Sequence, residues 1–378
     1  MTVRSERPYP MTVAVTGASG FIGARIVEIL ESPGSPYRAR VLSRRRTASR
    51  DGSVVKLDEE AAVRAAFEGC SAVIHCAFDY FDMASNVVIG RTVARACAAV
   101  GARLVHVSTA AVYEPFPDGV LDERSRVPDA GPDYKRVKLA IENELISLVG
   151  TIGLDVVILQ PTVVYGPMGW AWTDSPVREL LTGTVVLPAR GGGLCNAVFV
   201  DDVCDAMISA MTAEVPSGET ILISGPRPVA WRDFYGAYQE MLGVDALECD
   251  EMATGELVSP DDAASGATVH MNAWLKRMIV RIIGMQGLSR LNMWTSQLRS
   301  RLAGHKVHAP TGPKLALMRA HCHVRIDKAR RLLGYAPQFD LQQGMQMTAS
   351  YVMRTYGGAA RRRAKRERSD RVAQSVEA

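Results

Sequence analysis

The first chemistry this chain offers is a tyrosine and a lysine four residues apart, Tyr134 and Lys138 in the stretch "DYKRVK". On a helix that spacing puts two side chains on one face, one turn apart. A free phenol keeps its proton up to a pKa of about 10, too high for a good base at neutral pH. A neighbouring ammonium, and a bound positively charged ring, would favour the phenolate. The pair therefore suits proton transfer at a substrate oxygen. A third member should be a hydroxyl that holds this oxygen. Ser108 and Thr109, at the end of "RLVHVST", are the two candidates. The bland alternative for "DYKRVK" is a solvated basic face, and Lys135 and Arg136, which point elsewhere on the helix, read as solvated.

A second pattern supplies a partner for that chemistry. In "TGASGFIG", residues 16 to 23, three glycines lie between a strand-like and a helix-like segment. Gly17 can make the tight turn, Gly20 lets a pyrophosphate approach the backbone, and Gly23 allows close helix–strand packing. The helix N-terminus then faces the anion. This arrangement reads as a dinucleotide site. An acid at the end of the second strand would bond the ribose hydroxyl of NAD. Here the residues are Ser43, Arg44, Arg45 and Arg46. Cations favour a 2′-phosphate, so NADP is the preferred cofactor and NAD the alternative.

These residues need elements to position them. "MTVAVTGASGFIGARIVEILE" reads as strand, turn and helix; "RARVLS", "SAVIHCA", "RLVHVST" and "LDVVILQPTVVYGP" read as further strands. Helical segments such as "EEAAVRAAFEGC" and "NVVIGRTVARACAAVGA" lie between them, and the Tyr134 segment is another. Nearly all-apolar strands alternating with helices imply a parallel sheet covered on both faces. The expected fold class is α/β, with a doubly wound parallel sheet and a smaller C-terminal α/β substrate domain. Residues 11–166 form the dinucleotide-binding part. Residues 167–356 form mainly the substrate part, with 196–225 returning to the first sheet. Residues 357–378 read as a basic, disordered tail.

Composition narrows the function classes. Hydrophobic residues at 47% and charged residues at 22% are those of a globular chain. No apolar run reaches the length of about 20 residues that a membrane span needs. The N-terminal residues lack the apolar stretch of a signal peptide, so a cytoplasmic protein is expected. The net charge of +4 resides in the tail, where 361–371 hold seven Arg or Lys against two acids. No specific nucleic-acid site is expected. The segment 271–303 is apolar and basic at helical spacing. It reads as core or as a substrate lid, with membrane-surface contact, through it or the tail, as the alternative. The seven cysteines form no CxxC pair and read as buried free thiols. "HCH" at 321–323, with His305 and His308 upstream, lacks a ligand frame, so no metal is expected.

Several motifs in one order carry a resemblance. They are TGASGFIG at 16–23, "VIHCA" at 73–77, Asn86 with "VVIGRT", "VSTAAVY" at 107–113, Tyr134 with Lys138, "QPTVVYGP" at 160–167 and "VFVDDV" at 198–203. Over about residues 11 to 356 the chain resembles an extended short-chain dehydrogenase/reductase of the NAD-dependent epimerase/dehydratase group. The resemblance implies a Rossmann-type first domain and a homodimer. It implies Thr109 as the hydroxyl that bonds the substrate oxygen, Tyr134 as the general acid/base, and Lys138 as the residue that bonds the nicotinamide ribose and lowers the Tyr134 pKa. It places Gly17, Ser19, Gly20, Phe21, Ile22, Gly23, Ser43, Arg44, Arg45, Ala77 and Pro161 around the cofactor. Ser108, Tyr113, Val163, Trp170, Trp172 and Asn196 would lie toward the substrate.

The departures bear on the substrate. Nucleotide-sugar epimerases often have an asparagine at the position of Val163, an arginine at Cys195 and another at Gln160. Lys56 falls near an acid that usually contacts adenine, with Asp58 two residues on. The leading reading is hydride transfer at a carbinol or ketone carbon of a carbohydrate-type substrate, including a nucleotide sugar. Trp170, Trp172 and Asp174 in "MGWAWTDSP" would suit a sugar ring. The first alternative is an NADP-dependent reductase or dehydrogenase of a bulky apolar alcohol or ketone, similar to hydroxysteroid dehydrogenases. The second is a non-catalytic NADP sensor.

Overall fold

A computed structural model describes residues 10–43, 52–129, 131–250 and 306–377. Arg44, Arg45 and the segment 271–303 lie outside them. The chain opens with β1 (Met11–Thr16), α1 (Phe21–Leu30), β2 (Tyr37–Ser43), β3 (Gly52–Val54), α2 (Glu60–Phe67) and β4 (Ala72–His75). It continues with α3 (Ser85–Val100), β5 (Arg103–Val107), β6 (Gly119–Leu121), α4 (Asp133–Ile152), β7 (Val156–Pro161) and β8 (Val163–Tyr165). Then come α5 (Ser175–Thr182), β9 (Gly183–Leu187), β10 (Leu194–Cys195), β11 (Ala197–Phe199), α6 (Val200–Thr212) and β12 (Glu219–Ile223). The last described elements are β13 (Val229–Ala230), α7 (Trp231–Leu242), β14 (Leu247–Cys249), β15 (Lys306–His308), α8 (Gly312–Arg319), β16 (Cys322–Val324), α9 (Asp327–Leu333) and α10 (Leu341–Glu377).

The apolar runs become a seven-stranded parallel sheet in the order β12-β7-β5-β4-β1-β2-β3. Every residue of β4, β5 and β7 is buried, because helices cover both faces. From β1 the chain winds outward to β2 and β3, then returns to β4 on the other side of β1. The strand order reverses there, which opens a crevice at the carboxyl ends of β1 and β4. A smaller three-stranded parallel sheet, β14-β9-β15, belongs to the second part, with α5, α7 and α8.

Three local expectations change. The run 154–167 is not one strand. It breaks after Thr162, where the Val163 N–H donates to Asn196 and β8 leaves the main sheet to pair with β11. For the same reason, only β12 of the segment 196–225 joins the main sheet. The basic tail is helical: α10 runs unbroken to Glu377. Its Arg, Lys, Ala and Glu residues are good helix formers, Tyr356 and Ala360 are buried, and Arg363 donates to the Gly183 carbonyl. Short parallel strands β6 and β16 form a pair that sequence patterning did not indicate. Among the described residues no helix is long and apolar enough to cross a membrane.

One buried cation joins the sheet to α6. Arg103, at the start of β5, donates to Asp155 and to the carbonyls of Ala210, Ala213 and Val215. Arg103→Ala should lower unfolding stability by about 2–3 kcal/mol, because those carbonyls lose their donor inside the protein. Denaturant unfolding measures the loss.

Candidate active site

The glycine turn lies in the crevice. Gly17 has φ of +73°, and a Cβ there would stand 2.6 Å from the Ala77 amide nitrogen. A Cβ on Gly23 would meet the Gly17 carbonyl oxygen at 2.2 Å. Both approaches require glycine, and they bring the end of β4, the turn and the start of α1 against one another. Ser19, Phe21 and Ile22 lie in this turn and first helical residues, and Ser43 ends the neighbouring β2. Backbone N–H groups at a helix start, beside a close backbone approach, fit a dinucleotide pyrophosphate.

The proton-transfer residues meet at the carboxyl end of β5. Thr109 follows that strand and caps a short 3₁₀ turn, Ala110–Tyr113, by accepting from the Ala111 N–H at 3.1 Å. Tyr134 lies in the first turn of α4, and its hydroxyl is hydrogen-bonded to those of Thr109 and Tyr80. Lys138, one turn on, is buried. Its ammonium donates to the Val107 carbonyl at 2.8 Å and sits 4.7 Å from the centre of the Phe78 ring. The helix and strand thus place Thr109, Tyr134 and Lys138 together.

Electrostatics modify the simple picture of a lysine that lowers a tyrosine. Burial pushes the Tyr134 phenol well above its usual range. Burial also weakens Lys138, down to about 8, against the opposing pull of Cys76 and Glu142. Burial thus keeps the proton on the Tyr134 hydroxyl. It is then poised to give a proton.

Aromatic residues surround the hydroxyl. Phe78 meets the Tyr134 ring edge-on at 5.2 Å, and Tyr80 stacks on it at 5.8 Å with 14° between planes. Trp170 meets Tyr80 edge-on at 5.7 Å. Trp170 starts a wide, π-type turn that Tyr238 and Thr173 fasten to the body. Such turns often shape functional sites. Phe78 and Tyr80 carried no spacing signal. They follow β4 in a loop with no period of its own.

Other expected residues take other places. The Ser108 hydroxyl donates to Glu142, which also accepts from Gln160 at 2.9 Å, and Tyr113 donates to Gln160 at 3.2 Å. Ser108 and Tyr113 thus spend their hydroxyls on a buried polar chain whose Glu142 acts electrostatically on Lys138. Glu142 was missed, although it continues the Tyr134–Lys138 stripe by one more turn. Trp172 packs on Trp231 at 5.3 Å. Asp174 is buried and accepts from Tyr351 at 2.9 Å. The Asn196 amide is spent on β16, donating to Cys322 and accepting from Val324. Val163 is buried in β8, and Pro161 closes β7. Lys135 is buried rather than solvated, with its ammonium donating to the Glu114 carbonyl at 2.5 Å. Among the described residues no group of three His, Cys, Asp or Glu is placed to hold a metal ion.

A doubly wound sheet, a glycine turn in its crevice and a Thr–Tyr–Lys set beside it define an extended short-chain dehydrogenase/reductase. Residues 13–224 match the NAD-dependent epimerase/dehydratase family, and the chain belongs to it. Sterol demethylase protein B of Methylococcus capsulatus is 30% identical over 240 residues, covering 57% of this chain and 70% of that protein. A farnesyl-dihydroquinoline-oxide ketoreductase of Stigmatella aurantiaca is 26% identical over 352 residues, covering 89% of this chain and 95% of that one. Among solved structures, UDP-glucuronic acid 4-epimerase of Bacillus cereus in complex with NAD has the same fold. Its TM-score is 0.65 at 16% identity, over 92% of this chain and 100% of that one. Gly17→Ala should raise the dissociation constant of the nicotinamide dinucleotide by at least about tenfold, since the added methyl clashes and φ is strained. Fluorescence titration with NADH and NADPH reads the change.

Proposed function

We propose that this enzyme interconverts a ketone and a carbinol on a bulky, largely apolar substrate, with NADP(H) preferred over NAD(H). The observation that carries the reading is the setting of the Tyr134 hydroxyl, which lies beside Thr109 within a wall of Phe78, Tyr80 and Trp170. The arginines that follow β2 support the cofactor preference. The turn from Gly17 to Gly23 and the Lys138 ammonium would hold the cofactor, whose nicotinamide supplies the hydride. Thr109 hydrogen-bonds the substrate oxygen. Tyr134 gives its proton to that oxygen as the carbon gains the hydride, and takes it back in the reverse direction. The Lys138 ammonium stabilises the phenolate left behind.

A second reading keeps a carbohydrate-type substrate, with the cofactor regenerated in place. Trp170, 40% exposed, would serve the apolar face of a sugar ring. The polar grips such a substrate needs are weaker, because Asp174 and Asn196 are engaged inside the fold. The expected result is net consumption of NADPH with an apolar ring ketone such as 2-tetralone. Conversion of UDP-glucose without net cofactor change would select the second reading. Tyr134→Phe should lower kcat by at least about 100-fold; an unchanged rate would remove the proposed mechanism.

The pH profile follows from Lys138. Its pKa is lowered to about 8, so the ammonium persists below pH 8 and is lost above it. Around it lie Cys76, His75, His106 and Glu142. Both histidines are held neutral by burial, and Cys76 is pushed up to about 12. Ketone reduction should therefore be level below pH 8 and fall as pH rises past it. A profile of kcat/KM from pH 6 to 10 checks this.

A homodimer through α3 and α4 is part of the same proposal. Val88 on α3 and Ile146 on α4 present exposed apolar side chains. Sedimentation equilibrium should give twice the chain mass of 41.0 kDa.

A further inference from the structure

Tyr80 is held in place with unusual care for a loop residue. Asn86, 2% exposed at the start of α3, accepts from the Asp79 N–H at 2.7 Å. Its amide donates to the carbonyls of Asp79, Asp82 and Met83 at 2.9, 3.0 and 3.2 Å. The Asp79 carboxylate accepts from the N–H groups of Phe81 and Asp82. The backbone on both sides of Tyr80 is therefore fixed. Asp79 is turned to its own loop and adds no open charge to the wall.

This support presents Tyr80 to the reacting position. Its hydroxyl bonds that of Tyr134, and its ring stacks on Tyr134 while Phe78 and Trp170 meet it edge-on. Tyr80 is 41% exposed and Trp170 40%, so two large aromatic surfaces open to solvent beside the proton donor. Contiguous exposed apolar surface at a reactive group marks where a ligand binds.

We infer that Tyr80 contacts the substrate and sets its class: with Trp170, its ring holds a flat, apolar ring system whose ketone oxygen reaches Tyr134 and Thr109. The Tyr80 hydroxyl keeps the Tyr134 O–H aimed until the substrate oxygen takes its place. This inference rests on the reductase reading above.

The test compares wild type, Tyr80→Phe and Tyr80→Ala, each with NADPH and either 2-tetralone or dihydroxyacetone. In Tyr80→Ala the ratio of kcat/KM for 2-tetralone over dihydroxyacetone should fall at least about tenfold, mainly through KM for 2-tetralone. Tyr80→Phe, which keeps the ring, should restore that KM to within about twofold of wild type. A ratio within about twofold of wild type in Tyr80→Ala overturns the inference. If wild type reduces neither ketone, the reductase reading fails, and equilibrium dialysis of 2-tetralone with NADP+ present decides the inference. Binding weakened at least about tenfold by Tyr80→Ala but kept by Tyr80→Phe upholds the ring contact. No measurable binding to wild type, or equal binding to all three proteins, overturns it. Circular dichroism confirms that each variant is folded.

Discussion

The arrangement of the site depends on a single buried ammonium. Lys138 sits at the carboxyl end of a fully buried strand of the parallel sheet, where a lone charge is costly. The fold offsets that cost with the Val107 carbonyl, the face of Phe78 and the more distant Glu142. Each of these also positions something else. Val107 is the last residue of β5, two before Thr109. Phe78 begins the loop that carries Tyr80. Glu142 gathers Ser108 and Gln160 beneath the site. Satisfying one cation thereby assembles strand end, loop and helix around Tyr134.

The same constraint explains why the surroundings split into two kinds. Below Lys138 the polar groups form a closed chain from Tyr113 through Gln160 and Glu142 to Ser108. Every member is hydrogen-bonded to another, which fixes the chain in place. Above Lys138 the walls are aromatic, and the exposed surfaces are rings. The departures from the nucleotide-sugar pattern fit this division. Gln160 completes the buried chain, and Asn196 ties β10 and β11 to β16. Positions that would anchor a charged, hydrated substrate are here part of the framework.

Sequence and structure agree best where the signal is local or strongly periodic. The glycine turn, the α4 helix with Tyr134 and Lys138 on one side, and the apolar parallel strands were all readable from residues near one another in the chain. The failures were of two types. β7 ends because the next N–H, that of Val163, finds Asn196, a partner 33 residues away, so the apolar run could not reveal the break. The basic residues after 357 read as disordered from charge alone. Buried Tyr356 and Ala360, with Arg363 bonded to Gly183, tie that helix down instead. Lys135 looked solvated for the same reason. Its charge was visible, and the Glu114 carbonyl that receives it was not.

By itself the sequence determined the family, the crevice for a dinucleotide and the Tyr134–Lys138 pair. These rest on spacing within one turn or one strand, and backbone geometry translates such spacing directly into position. Only the tertiary structure decided which groups face the reactive hydroxyl. Tyr80 and Tyr134 are 54 residues apart, and the loop after β4 brings them into contact across the end of the sheet. It also decided that Ser108 bonds to buried Glu142, that Asp174 accepts from Tyr351 inside the fold, that Trp172 packs on Trp231, and that burial raises the Tyr134 pKa. Burial sets each of these outcomes, and burial depends on what distant segments pack against a residue.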